Sequence, residues 1–175
     1  MLRRALQDGQ HWKGYIIRDD EAGGELKDHL VKKAGEGIRV YVIYDDYGSL
    51  GLEGKFTKDL RDAGAHVTSF MNFDKEPNRC QINFRNHRKL VVIDGKTAFV
   101  GGHNVGSEYL GAHPVLTPWR DSHMRISGPV VTCLQVPFME DWHWATGETI
   151  QDLQWSLEAA AEASGGSALA VGIPS

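Results

Sequence analysis

Between Trp12 and Phe70, three short apolar runs alternate with two amphipathic stretches. The runs "WKGYII" (12–17), "IRVYVIYDD" (38–46) and "HVTSF" (66–70) are rich in β-branched and aromatic residues and bounded by glycine or polar residues, so they read as strands. The stretch "GGELKDHLVKKAGEG" (23–37) sets Leu26, Leu30 and Val31 on one side and ends at Gly35 or Gly37, and "TKDLRDAGA" (57–65) ends at Gly64. This βαβαβ order predicts a parallel sheet with helices on its faces, because parallel neighbours need long crossovers that pack back onto the sheet. At 175 residues the chain can bury a real core in one such domain.

The second half follows a different pattern. "HRKLVVI" (87–93) and "TAFVGGHN" (97–104) meet at Asp94-Gly95, a strong hairpin signal. A polar, locally basic loop precedes them ("MNFDKEPNRCQINF", 71–84), and "GAHPVLTP" (111–118) is another loop. "WRDSHMRI" (119–126) reads as a strand with a polar face. "GPVVTCLQVPFMEDWHW" (128–144) reads as a helix with Pro129 in its first turn, a stripe of Val130, Leu134, Phe138 and Trp142, and a kink expected at Pro137. "EAAAEASGG" (158–166) resembles a linker, and "SALAVGIPS" (167–175) resembles a strand, so the expected division is a lobe over 1–146, then a linker and the start of an absent second lobe over 147–175.

A net charge of −4 argues against a protein that coats nucleic acid, so nucleic acid is not an expected partner. The first residues lack the apolar core of a signal peptide, and no apolar run approaches membrane-spanning length. Cys80 and Cys133 make neither a disulfide framework nor a zinc spacing, and both are expected as reduced, buried thiols. His87, His103, His113 and His123 are spaced too widely for a local metal motif, so no metal or other cofactor is expected. The acid pairs in "IRDDE" and "YDDYGS" follow strands and read as turn or helix-cap residues.

The hairpin carries the chemistry. A two-residue loop at Asp94-Gly95 pairs His87 with Gly102, and a loop shifted by one residue pairs His87 with Asn104. In either register His87, Lys89 and Asn104 share a face, beside a Gly101-Gly102 pair that leaves bare backbone. A nucleophilic imidazole, a fixed cation and an amide donor around a side-chain-free gap suit a phosphoryl group. Parity keeps Asp94 off that face and makes it chiefly structural. Asp121, expected on one strand face with Trp119, His123 and Arg125, is the better carboxylate to orient the His87 ring. Taken singly, each feature is ordinary: a His-x-Lys pair is usually a solvated strand edge, and Asp-Gly a turn. Their joint spacing carries the weight.

That joint spacing, His87-x-Lys89-x4-Asp94-x6-Gly101-Gly102-x-Asn104, resembles the HKD motif of the phospholipase D superfamily. The wider segments from Tyr15 to Trp142 resemble the first half of bacterial cardiolipin synthases. The resemblance implies an α/β/α phospholipase D-like sandwich lobe with a mixed, largely parallel sheet. It implies a catalytic set of His87, Lys89, Asp94 and Asp121, with phosphate bound by Lys89, Asn104 and Gly102. It implies phosphatidyl transfer or phosphodiester hydrolysis through a phosphohistidine, without a metal, on a phosphatidylglycerol-like phospholipid at a bacterial cytoplasmic membrane surface, with this chain peripheral to it. Enzymes of this type carry two such motifs and this chain has one. The second therefore comes from another lobe or from a homodimer, and the isolated half can be inactive. The alternative is a single-motif nuclease that works as a homodimer.

Overall fold

In the computed structural model of the chain, residues 10–13 (backbone), 16–70, 87–111, 114–115 and 118–155 are described. The loop at 71–84 with Cys80, His113, the linker at 158–166 and the run at 167–175 lie outside the described residues.

Six strands and three helices appear in the order β1 (Gln10–Lys13), α1 (Glu21–Gly35), β2 (Val40–Tyr44), α2 (Lys55–Asp62), β3 (His66–Ser69), β4 (Lys89–Ile93), β5 (Thr97–Gly101), β6 (His123–Ser127) and α3 (Val130–Thr146) among the described residues, with one 3₁₀ turn at Ser107–Leu110. They form a single sheet ordered β3-β2-β1-β4-β5-β6. The sheet is mixed. β1, β2 and β3 run parallel, as the βαβαβ reading predicts, and β4, β5 and β6 add antiparallel neighbours on the other side of β1.

The strand β2 shows why this is a three-layer fold. Its five residues are all buried because both faces are covered. Val40, Val42 and Tyr44 pack with Leu26 and Leu30 of α1 and Phe56 and Leu60 of α2. Tyr41 and Ile43 pack on the opposite face with Val131, Phe138 and Trp142 of α3. Phe138 and Leu60 are fully buried, and burying such a side chain stabilises by roughly 1.5–3 kcal/mol. A strap after α3 completes the second core with Ile150 and Leu153. The Arg39 guanidinium holds it by donating to the carbonyls of Gln151 (2.7 Å) and Asp152 (2.5 Å).

Helix α1 starts at Glu21, earlier than expected, because the Asp20 carboxylate caps it by accepting from the Gly23 N–H at 3.0 Å. The expected strand 12–17 is displaced towards the N-terminus, and Ile17 makes only an isolated bridge to Val105. The α3 stripe is Val131, Gln135, Phe138, Trp142 and Ala145 rather than one through Val130 and Leu134. Gln135 is drawn inward by donating from Nε2 to the Gln154 carbonyl at 3.1 Å, so a polar residue occupies a core position that hydrophobicity would not assign. The helix runs without a break through Pro137. Cys133 is exposed, against expectation, because it lies on the outer side of α3.

Candidate functional site

The site forms where the sheet changes direction. β1 pairs with parallel β2 on one side and antiparallel β4 on the other, with Lys13 level with both Ile43 and Leu90. The start of β4 therefore lies beside the carboxyl ends of β1 and β2, where strand order reverses. Crevices for ligands in open α/β sheets form at such points. Lys89 opens β4 and Asp45 follows β2, and the two are close enough for the Asp45 charge to act on the Lys89 ammonium.

The hairpin adopts neither expected register. Ile93 pairs with Thr97 and Lys89 with Gly101, across a three-residue turn Asp94-Gly95-Lys96 closed by Lys96 N–H to the Ile93 carbonyl at 2.9 Å. Asp94 and Gly95 take left-handed φ values of 50° and 64°. This intermediate register would place His103, not Asn104, on the Lys89 face if the strand continued. It does not, because β5 stops at Gly101. Asn104 is positioned instead by the loop that follows, where Val105 exchanges backbone hydrogen bonds with Ile16 and Arg18 (3.0 and 2.9 Å).

The glycine pair is explained by what crosses it. A Cβ on Gly102 would overlap the Asp121 carboxylate, and one on Gly101 would meet the Ser122 carbonyl and the His123 ring. The Gly102 N–H donates to the Ser122 carbonyl at 3.0 Å. The segment 121–123 thus lies directly against bare backbone. Asp121 itself precedes β6, which begins at His123, so the expected common strand face of Trp119, Asp121, His123 and Arg125 is a correction: Trp119 and Asp121 are loop residues.

Lys89 donates from Nζ to the His87 carbonyl at 3.0 Å, and burial lowers its pKa against the opposing pull of Asp121 and Asp45. The His87 ring is exposed. Asp121 accepts from Trp119 Nε1 (3.3 Å) and from the Ser122 N–H (2.8 Å). Desolvation pushes its carboxyl up, but these hydrogen bonds and the nearby His103 and His123 outweigh it and lower the pKa. Among the described residues no hydrogen bond joins Asp121 to His87. Asn104 donates from Nδ2 to the Tyr109 hydroxyl at 2.7 Å, and its Oδ1 is buried without a partner. Burial raises the Tyr109 pKa, with the Asn104 hydrogen bond opposing it.

The structure therefore brings Lys89, Gly101, Gly102 and Asp121 together, with Asn104 two residues past Gly102. It places Asp94 at the far end of β4, roughly 16 Å from Lys89 at about 3.3 Å per residue. Asp94 lies in the turn that closes the hairpin, with φ 50°. Asp45 and Tyr109 were not singled out for the site, whereas His123 was expected beside Asp121 on one strand face. Asp45 carried only a turn signal, which it also fulfils by accepting from the Gly48 N–H at 2.6 Å. The register sets His123 opposite Gly101. No three His, Cys, Asp or Glu side chains converge as a metal-binding group among the described residues.

The family described as cardiolipin synthase, PLD-like domain, matches residues 11–113. Cardiolipin synthase A of Pseudomonas putida (strain GB-1) is 54% identical over 132 residues, covering 75% of this chain and 28% of that protein. Cardiolipin synthase A of Pseudomonas fluorescens (strain SBW25) is 54% identical over 134 residues, covering 77% of this chain and 28% of that protein. The chain thus spans about 28% of the length of these relatives. Among solved structures, NucT from Helicobacter pylori superposes with a TM-score of 0.58 at 13% identity, covering 82% of this chain and 88% of that one, a likeness of fold alone. A family match over more than half the chain, with the motif placed at the sheet's reversal point, makes this chain a member of the phospholipase D-like cardiolipin synthase family.

Proposed function

We propose that this chain is a catalytic lobe for phosphatidyl transfer between phospholipids, working on a phosphatidylglycerol-like phosphodiester. The observation that carries the reading is the half-buried Lys89 beside the side-chain-free Gly101-Gly102 backbone, on the same strand approach as His87. A phosphoryl group beside Lys89 has that ammonium as its cation, with Asn104 supplying an N–H not used by Tyr109. Neutral His87 attacks phosphorus through a ring nitrogen, the bond to the leaving alcohol breaks, and that alcohol takes a proton from a second acid. The acceptor alcohol, deprotonated by the same group, then attacks the phosphohistidine and releases His87. Asp121 serves as acceptor for the other His87 nitrogen, a hydrogen bond that forms as the ring closes on substrate. Such bonds are often long or absent before substrate binds.

The second acid comes from a second motif, on another lobe or another copy of the chain. The chain works at the surface of a bacterial cytoplasmic membrane, peripherally. Leu50 and Leu110 support this: they are 76% and 70% exposed on loops that both pack against residues 16–18 beside the site. No helix among the described residues is long and apolar enough to cross a membrane. A second reading, a one-lobe homodimeric nuclease, is favoured by a single observation. The fold match runs over 88% of NucT, so a chain of this fold need be no longer than one lobe. The net charge of −4 weighs against it.

The test is specific activity on phosphatidylglycerol vesicles and on single-stranded DNA across a wide range of protein concentrations, with and without a supplied second lobe. Lipid turnover that rises with concentration or with the second lobe supports the proposal. Turnover of DNA alone replaces it with the nuclease reading.

A further inference from the structure

β4, β5 and β6 align Lys89, Gly101 and His123 in one cross-strand row. Directly paired residues of antiparallel strands project to the same face, so Lys89 and His123 stand on one side of the sheet with no side chain between them. With strands about 4.8 Å apart, their Cα atoms are separated by roughly 10 Å. The His123 ring leans towards Gly101, with its Nδ1 2.5 Å from where a Gly101 Cβ would stand.

That Nδ1 is buried and has no hydrogen-bond partner. A buried ring nitrogen without an acceptor is a poor place for the proton, which therefore resides on Nε2. Burial, the neighbouring His103 ring at 5.8 Å between centroids and the resulting lowered pKa, against the opposing Asp121, keep the ring neutral. The Asp121 charge acts on both the Lys89 ammonium and the His123 imidazole, so the three groups lie near one another.

We infer that His123 is a further phosphate-binding residue of this site: its Nε2–H donates to an oxygen of the phosphoryl group held by Lys89, across the gap left by Gly101. The inference rests on the phosphoryl-transfer reading above and adds a neutral donor to it. A neutral donor holds an anion without competing with His87 for the reacting proton, and the glycine at 101 is needed to seat it.

The probe is inorganic phosphate, titrated into the folded protein and followed by ³¹P line broadening. Wild type is compared with His123→Phe, His123→Gln and Lys89→Ala, each checked by thermal melting. The expected result is that His123→Phe weakens phosphate about tenfold, as loss of a hydrogen bond to a charged group does. His123→Gln, which keeps an N–H donor, restores part of the affinity. Unchanged affinity in His123→Phe with a clear loss in Lys89→Ala overturns the His123 assignment and leaves the site intact. Unchanged affinity in both, or no binding by wild type, overturns the phosphate site itself. Should His123→Phe fail to fold, the imidazole ¹⁵N spectrum of wild type decides: an Nδ1-protonated His123 overturns the assignment.

Discussion

The Asp121 carboxylate occupies the space in which a side chain on Gly102 would begin. This contact couples two parts of the chain that sequence separation keeps apart, the motif hairpin and the loop before β6. Gly102→Ala must therefore displace Asp121 or the backbone beneath it. Overpacking of this kind costs about 1–3 kcal/mol. A melting temperature lowered by several degrees is expected, with activity falling much further than that destabilisation explains. Activity that survives with a normal melting temperature would show that Asp121 has room to move without consequence.

Asp94 and His87 separate cleanly. Asp94 holds a left-handed turn position, which asparagine also tolerates. Asp94→Asn is expected to change stability by no more than about 0.5 kcal/mol and to keep most of the activity. His87→Ala is expected to abolish turnover with the fold intact. Parallel kinetics and denaturant melts check this, and equal loss in both folded variants would place Asp94 back in the chemistry.

Acid sensitivity has an assigned source. The fold lowers the His123 pKa below the ordinary value of 6.5, so between those two values the unfolded chain binds more protons than the folded one. The contribution is complete above 6.5 and is lost as pH falls below it. Asp121, also lowered, adds a separate loss that begins only below its ordinary value of 3.8. Urea melts from pH 7 downwards should show wild type losing stability below 6.5 and His123→Gln losing less in that range. Identical slopes would remove His123 as the source.

Much of this was legible in the chain. The βαβαβ order and the hairpin at Asp94 follow from periodicity and turn chemistry. The register was not, because a three-residue turn with Asp94 and Gly95 both left-handed looks the same in sequence as a two-residue one. That single residue moved Asn104 off the Lys89 face, and only the early end of β5 at Gly101 frees it again. Tyr109, five residues beyond Asn104 on a 3₁₀ turn, had no periodic signal at all. Gln135 in the core was hidden for a similar reason: its partner, the Gln154 carbonyl, belongs to a strap with no regular structure.

The exposed leucines bear on where the chain works. Leu50→Ser with Leu110→Ser should weaken sedimentation with phosphatidylglycerol vesicles by about a hundredfold or more, since each leucine contributes about 1.5–3 kcal/mol when it leaves water and about 1.4 kcal/mol is tenfold. Activity on a soluble phosphodiester should be unchanged. Vesicle binding equal to wild type would mean that these loops do not face the lipid.

The proposed chemistry turns on His87 as the nucleophile that carries the phosphoryl group. The direct measurement is peptide mass spectrometry after rapid alkaline quench of a turnover mixture, which preserves a phosphohistidine. The expected result is an acid-labile phosphatidyl adduct on the peptide containing His87, absent in His87→Ala. Turnover of the same substrate with no adduct at His87, or with full activity in His87→Ala, would contradict it.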